Sequence, residues 1–320
     1  GEELKKWCKE HTKSNGKNYD LYKDGLKIYT TINPKMQQYA EEAVSKHISE
    51  MQKILNTQGN IKSGSVWKGR ENVLEAAMKQ SDRWRNMKTE GTDDSTIVKS
   101  FYTKTKMKIF AWNSKREADT VMTPYDSIKY CRQMLQAGFM VMDPITGEVK
   151  AWVGGIDFKN FKYDHVNFNT KRQVGSTIKP LLYGLAIEDA GFTPASMVQD
   201  VQQSFGSYGL VPATSKSCTG ATMPMAQALA GSRNCASAYI IKQLDNSGNN
   251  GAKRFVDFLK RCDFKTKLDA YPSMALGACE ISLYEMMQGY TMFPGRGFNV
   301  HPMFITRIED RNGNVLESFI

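Results

Sequence analysis

The 320-residue chain has no hydrophobic run near 20 residues, so nothing in it reads as a membrane-spanning helix. Its six cysteines (Cys8, Cys131, Cys218, Cys235, Cys262, Cys279) include no Cys-x-x-Cys, and its four histidines lie far apart with no pair at helical ligand spacing. Neither a metal site nor a cofactor is expected, and buried thiols are the expected state of the cysteines. There is no internal repeat and no low-complexity tract. Acidic residues are the scarcer charge, 33 against 43 Lys and Arg, and the surplus is uneven. Residues 1–135 carry 25 basic against 17 acidic side chains, residues 136–320 only 18 against 16. A basic half invites a nucleic-acid reading, but its lysines are scattered and no zinc-finger, RNA-binding or glycine-rich phosphate motif accompanies them, so no nucleic-acid partner is expected. A hydrophobic content of 41% suffices for one large domain or two modest ones.

The most informative segment present is Arg172-Gln173-Val174-Gly175-Ser176-Thr177-Ile178-Lys179-Pro180. From Ile178 onward, Ile178, Leu181, Leu182, Leu185, Ala186 and Ile187 recur at helical spacing. Residues three apart on a helix are neighbours, so a serine hydroxyl and a lysine amine can face one site. A serine is a poor nucleophile until a base takes its proton, and a desolvated neutral lysine can be that base. The Pro180 ring opposes the carbonyl four residues earlier, that of Ser176, which puts Ser176 at the helix tip. The spacing is cheap, however. It recurs at Ser14/Lys17, which reads as a turn, and at Ser65/Lys68, and neither opens an apolar-periodic segment.

A second element is Ser232-Arg233-Asn234, at a break between two helical patterns, where a hydroxyl and an amide share a short connection. The serine can relay a proton, and the amide can hold a carbonyl or position a lysine. Alone, the pair also reads as an ordinary helix cap. Another Ser-x-Asn, Ser247-Gly248-Asn249, reads as a turn.

Together these residues resemble the penicillin-recognising serine acyltransferases, whose signature is Ser-x-x-Lys, Ser-x-Asn and Lys-Thr-Gly. The flanks are similar to the class A (bifunctional) penicillin-binding proteins: Arg172–Leu181, Ala228–Asn234, Ser273–Ala278 with Leu283–Tyr290, and, at the join between that family's two catalytic domains, Gly25–Pro34. The resemblance implies Ser176 as nucleophile, Lys179 as base, Ser232 as relay and Asn234 as orienting amide. It implies peptidoglycan stem peptides as substrate, β-lactam antibiotics as covalent inhibitors, and a place on the extracytoplasmic face of the membrane. An anionic membrane or wall polymer nearby accounts equally well for the basic bias. No Lys-Thr-Gly occurs; the nearest string, Lys265-Thr266-Lys267, lacks the glycine. By the family's order the third motif is expected beyond Ile320, and the family's glycosyltransferase domain and membrane anchor lie outside this sequence, which reads as an internal piece of a larger enzyme.

The expected architecture is α+β, transpeptidase/β-lactamase-like, an antiparallel sheet flanked by helices, C-terminally incomplete, with an N-terminal α+β linker subdomain. Residues 1–135 are expected to form that spacer and residues 136–320 the penicillin-binding domain. In the first part Leu26, Ile28 and Thr30 alternate as a strand. Asn33 then caps a helix whose face is expected to be Met36, Ala40, Ala43, His47, Met51 and Ile54. Shorter helices near 72–81 and 124–135 bracket a strand near 107–112. In the second part hairpins are expected at 139–153 and 304–319, the latter turning at Asn312-Gly313, with further helices at 252–261 and 282–292. Two other functions fit the motifs. A serine β-lactamase needs a water-activating group, and the segment between Lys179 and Ser232 holds one glutamate, Glu188. A non-catalytic wall-binding fragment needs no third motif at all.

Overall fold

A computed structural model describes residues 2–245 and 250–319; the turn expected at Ser247-Gly248-Asn249 lies outside the described residues. By their internal contacts the residues fall into two compact units, one of Asn33–Phe139 with Ala151–His165, the other of Gly1–Ile32, Met140–Lys150 and Val166–Ile320.

In the first of these the helix Pro34–Thr57 begins as its sequence dictates. Asn33 Oδ1 accepts from the N–H groups of Lys35 and Met36, and Pro34 fills a position that needs no donor. Its buried face differs from the expected one. Ala40 is buried as expected, but Met36 and Ile54 are 46% and 53% exposed and Ala43 and His47 are exposed, while Val44, Ile48 and Gln52 turn inward. Gln52 is what misleads the pattern. Its amide donates to Gln133 O and accepts from Leu135 N, so a polar side chain holds a core position by completing backbone hydrogen bonds.

The two short helices are Glu71–Gln80 and Pro124–Arg132, and the strand is Thr105–Phe110, paired antiparallel with Glu117–Met122. Two further helices, Asp82–Thr89 and Asp94–Phe101, are unannounced by apolar periodicity but opened by capping side chains of Ser81 and Asp93. Ile97 and Phe101 bury against Met78.

In the other unit the helices Lys179–Ala190, Asn234–Gln243 and Asn250–Arg261 enclose the main core with the 3₁₀ turn Pro272–Leu276. Of the apolar stripe expected after Ser176, Ile178, Leu181, Leu182, Leu185 and Ala186 are fully buried, whereas Ile187, near the end of the helix, is 45% exposed. A three-stranded antiparallel sheet, in the order Lys27–Thr30, Ile305–Glu309, Val315–Ser318, holds the expected final hairpin. The helix Glu2–Glu10 buries Trp7 and Cys8 against Ile305 and Ile308 of that sheet. The strands Phe139–Met142 and Val149–Val153, each with residues in both units, pair as a two-stranded ribbon. The helix expected at 282–292 runs Leu283–Tyr290 and is capped by Ser282. The architecture is α+β. Among the described residues, no helix is long and apolar enough to cross a membrane.

Candidate active site

Strand Lys171–Gln173 pairs with Glu280–Ser282, and the pairing continues as Val174 N to Cys279 O (3.0 Å) and Gly175 N to Gly277 O (3.1 Å). This is how the segment around Ser273–Ala278 serves the serine motif. Gly277 has φ +74°, and a Cβ there would stand 1.8 Å from Gly175 O, so only glycine permits the approach. The chain then enters a 3₁₀ turn, Gly175–Ile178, anchored by buried Ile178 and by Tyr290 Oη donating to Thr177 O at 2.6 Å. The carbonyl of Ser176, which Pro180 cannot serve, accepts instead from the N–H of Lys179. Ser176 itself is exposed at the head of the turn.

Lys179 opens the helix Lys179–Ala190 and is 1% exposed. Its Nζ donates to Ser232 O at 2.6 Å, Asn234 Oδ1 at 2.7 Å and Ser232 Oγ at 3.1 Å. The structure thus joins Lys179, Ser232 and Asn234, from two segments more than 50 residues apart, in one hydrogen-bonded cluster. Ser176 Oγ is hydrogen-bonded to none of the three. Burial pushes the Lys179 amine down to about 8, against a smaller opposing pull from the Asp200 carboxylate.

Ser232 follows the short helix Met225–Ala230 at φ +49°, a left-handed conformation that costs a non-glycine residue about 1–3 kcal/mol. Neither it nor Asn234 caps the following helix. The cap position is Arg233, without a side-chain bond, and the Asn234 amide is turned to Lys179 instead. The expected break between helices is present; the ordinary-cap reading is not.

Asp200 carries no sequence motif and went unseen. It follows the ribbon of Met197–Gln199 with Thr222–Pro224 and is fully buried. Its Oδ1 accepts from Ala236 N in the first turn of Asn234–Gln243, its Oδ2 from the backbone N and Oγ1 of Thr219, and Arg233 Nε lies 4.0 Å away. A carboxylate at a helix N-terminus is favourable, and here it ties down the turn bearing Ser232. Cys218 and Cys235 form a disulfide, which corrects the expectation of free thiols for this pair and braces the residue beside Asn234. The signal was absent because the two are 17 residues apart with no motif between them.

The string Lys265-Thr266-Lys267 serves packing. Thr266 is buried, and Glu285 accepts its hydroxyl and the backbone N–H groups of Lys265 and Thr266. Ser14 and Lys17 flank a turn closed by Lys13 N to Lys17 O, and Ser65 and Lys68 lie in an exposed 3₁₀ turn. Glu188 is exposed, 3.5 Å from Arg261. Among the described residues, no group of three or more His, Cys, Asp or Glu is placed to hold a metal ion.

The profile of the penicillin binding protein transpeptidase domain matches residues 137–318, and that of the penicillin-binding protein middle domain matches residues 62–135. The chain is 35% identical over 197 residues to penicillin-binding protein 2D of Bacillus subtilis, covering 57% of this chain and 26% of that protein. It is 27% identical over 343 residues to penicillin-binding protein 1A of Escherichia coli, covering 92% of this chain and 38% of that protein. It therefore spans well under half the length of these relatives. Among solved structures, penicillin-binding protein 1A of Haemophilus influenzae superposes over 99% of this chain and 49% of its own, with TM-score 0.62 and 18% identity. The Mycobacterium tuberculosis protein PonA1 does so over 99% and 61%, with TM-score 0.57 and 17% identity.

Proposed function

The chain belongs to the penicillin-binding protein transpeptidase family, and from that premise we propose that it is a serine D,D-transpeptidase of peptidoglycan synthesis. Ser176 Oγ attacks the carbonyl between the two terminal D-alanines of a stem peptide. Neutral Lys179 takes the serine proton, Ser232 passes a proton to the departing D-alanine amine, and an amine from a second strand resolves the ester. Asn234 holds the lysine and the substrate amide. β-Lactams acylate the same serine.

The single observation that carries this reading is the Lys179 amine, buried and held by Ser232 and Asn234. With its titration near 8, roughly a tenth of it is neutral at pH 7, enough for a general base and unlike an ordinary surface lysine. The lactamase alternative, in its class A form, needs a glutamate to activate water, and the one intervening glutamate, Glu188, is exposed and paired with Arg261. Of residues 1–135, those from Asn33 onward serve as a spacer ahead of the penicillin-binding domain, while Gly1–Ile32 group with Val166–Ile320. The site works outside the cytoplasmic membrane, which the Cys218–Cys235 disulfide favours.

Intact-mass measurement after exposure to penicillin tests the proposal. A long-lived adduct that disappears in Ser176→Ala is the expected result. A short-lived adduct would mean a lactamase, and no adduct at all a non-catalytic fragment.

A further inference from the structure

The unit Asn33–Phe139 with Ala151–His165 contains a cavity of about 500 Å³ lined by none of Ser176, Lys179, Ser232 and Asn234. That size lies within the usual small-ligand range of roughly 300–1,000 Å³. One wall is the helix Pro34–Thr57, the other the segment from Trp152 to Asp164.

Its polar groups are fixed before any ligand arrives. Trp152 N donates to Gln37 Oε1 at 2.7 Å, and Gln37 Nε2 donates to Trp152 O and to Glu41 Oε1. Trp152 Nε1 donates to Asp164 Oδ2 at 3.1 Å, and a Cβ at Gly154 would stand 2.8 Å from Asp164 Oδ1. Arg116 lies over the Trp112 ring and donates to Ser45 Oγ. The loop is closed by His165 N to Gly154 O at 2.7 Å and by Phe161 N to Asp157 O at 2.8 Å. Within this ordered frame Phe158 and Tyr163 are 79% and 61% exposed. Folding leaves two aromatic side chains largely in water beside carboxylates and a guanidinium, Tyr163 also meeting the His165 ring at 5.1 Å.

That combination suits a ligand with an apolar ring face and a rim of hydroxyl and amide groups. It does not suit a polyanion, because Glu41, Asp157 and Asp164 outnumber Arg116 and Lys162 on the walls. We propose that the cavity is a saccharide subsite that takes N-acetylated amino-sugar units. The carbohydrate class rests on the cavity alone; assigning it to the glycan strand whose stem peptides are cross-linked rests on the transpeptidase reading.

The test titrates the whole chain with chitotetraose and with peptidoglycan glycan strands freed of peptide, followed by calorimetry, with penicillin acylation measured in parallel. The expected result is saturable glycan binding, weakened about tenfold or more in the double variant Phe158→Ala/Tyr163→Ala, with acylation unchanged; tenfold corresponds to about 1.4 kcal/mol. Both side chains are exposed, so the variant should fold. No glycan binding by the parent chain, equal binding by the variant, or binding of free stem peptide in place of glycan would each overturn the subsite. A parent chain that binds glycan but is never acylated would overturn the transpeptidase reading and leave the saccharide site standing.

Discussion

Residues 64–68 and 175–179 share one local design. Each begins with a glycine at positive φ (+72° at Gly64, +55° at Gly175) and continues into a 3₁₀ turn containing a serine, Ser65 or Ser176. Each ends with a lysine whose N–H donates to that serine's carbonyl. The two part company at the lysine side chain. Lys68 is exposed and leads into a turn. Lys179 is 1% exposed, opens an apolar helix, and meets three oxygens from the Ser232–Asn234 turn. Serine and lysine three apart are a property of the turn. The two become candidates for acid–base work only where burial lowers the lysine's titration and a second segment receives it.

The comparison breaks most sharply at the lysines. Lys179→Gln should slow acylation by fluorescent penicillin about 10²–10⁴-fold, the usual worth of a general base, while Lys68→Gln leaves the rate unchanged. Parent-like labelling by the first variant would remove the base assignment.

The glycines give the next largest effect. Gly64→Ala and Gly277→Ala both put a side chain at positive φ, each costing about 1–3 kcal/mol. The Gly64 position opens onto empty space, whereas Cβ at Gly277 collides with Gly175 O. Denaturant unfolding should therefore show Gly277→Ala as clearly the less stable, with slowed acylation as well. Equal stabilities would mean that the strand pairing does not hold the Ser176 turn.

Asp200 offers a subtler test, for which the decoy turn has no counterpart. Asp200→Asn should cost about 1–3 kcal/mol through its buried hydrogen bonds. Because the Asp200 charge raises the Lys179 titration, its removal should also move the acylation pH profile toward acid. A loss of stability with the pH midpoint unmoved would reduce Asp200 to a purely structural role.

The meeting of Lys179 with Ser232 and Asn234 was legible because motif, spacing and apolar periodicity point to those two segments, and the hairpin at Asn312-Gly313 because turn chemistry is local. Asp200 was not, since a lone aspartate between Gln199 and Val201 acquires meaning only from Thr219, Arg233 and Ala236 across the fold. The inward face of Pro34–Thr57 was misread for a related reason: Gln52 is buried by tertiary hydrogen bonds that no hydropathy pattern records. The helices Asp82–Thr89 and Asp94–Phe101 were missed because their strongest local marks are the caps Ser81 and Asp93.

The central claim is that Lys179 is a buried base poised near neutrality, and the pH dependence of penicillin acylation tests it most directly. Since the base must be neutral to accept the Ser176 proton, the rate should rise with pH and reach half its maximum near the Lys179 value of about 8. A rate that is flat across this range, or that is still climbing near the ordinary lysine value of 10.5, would contradict the account.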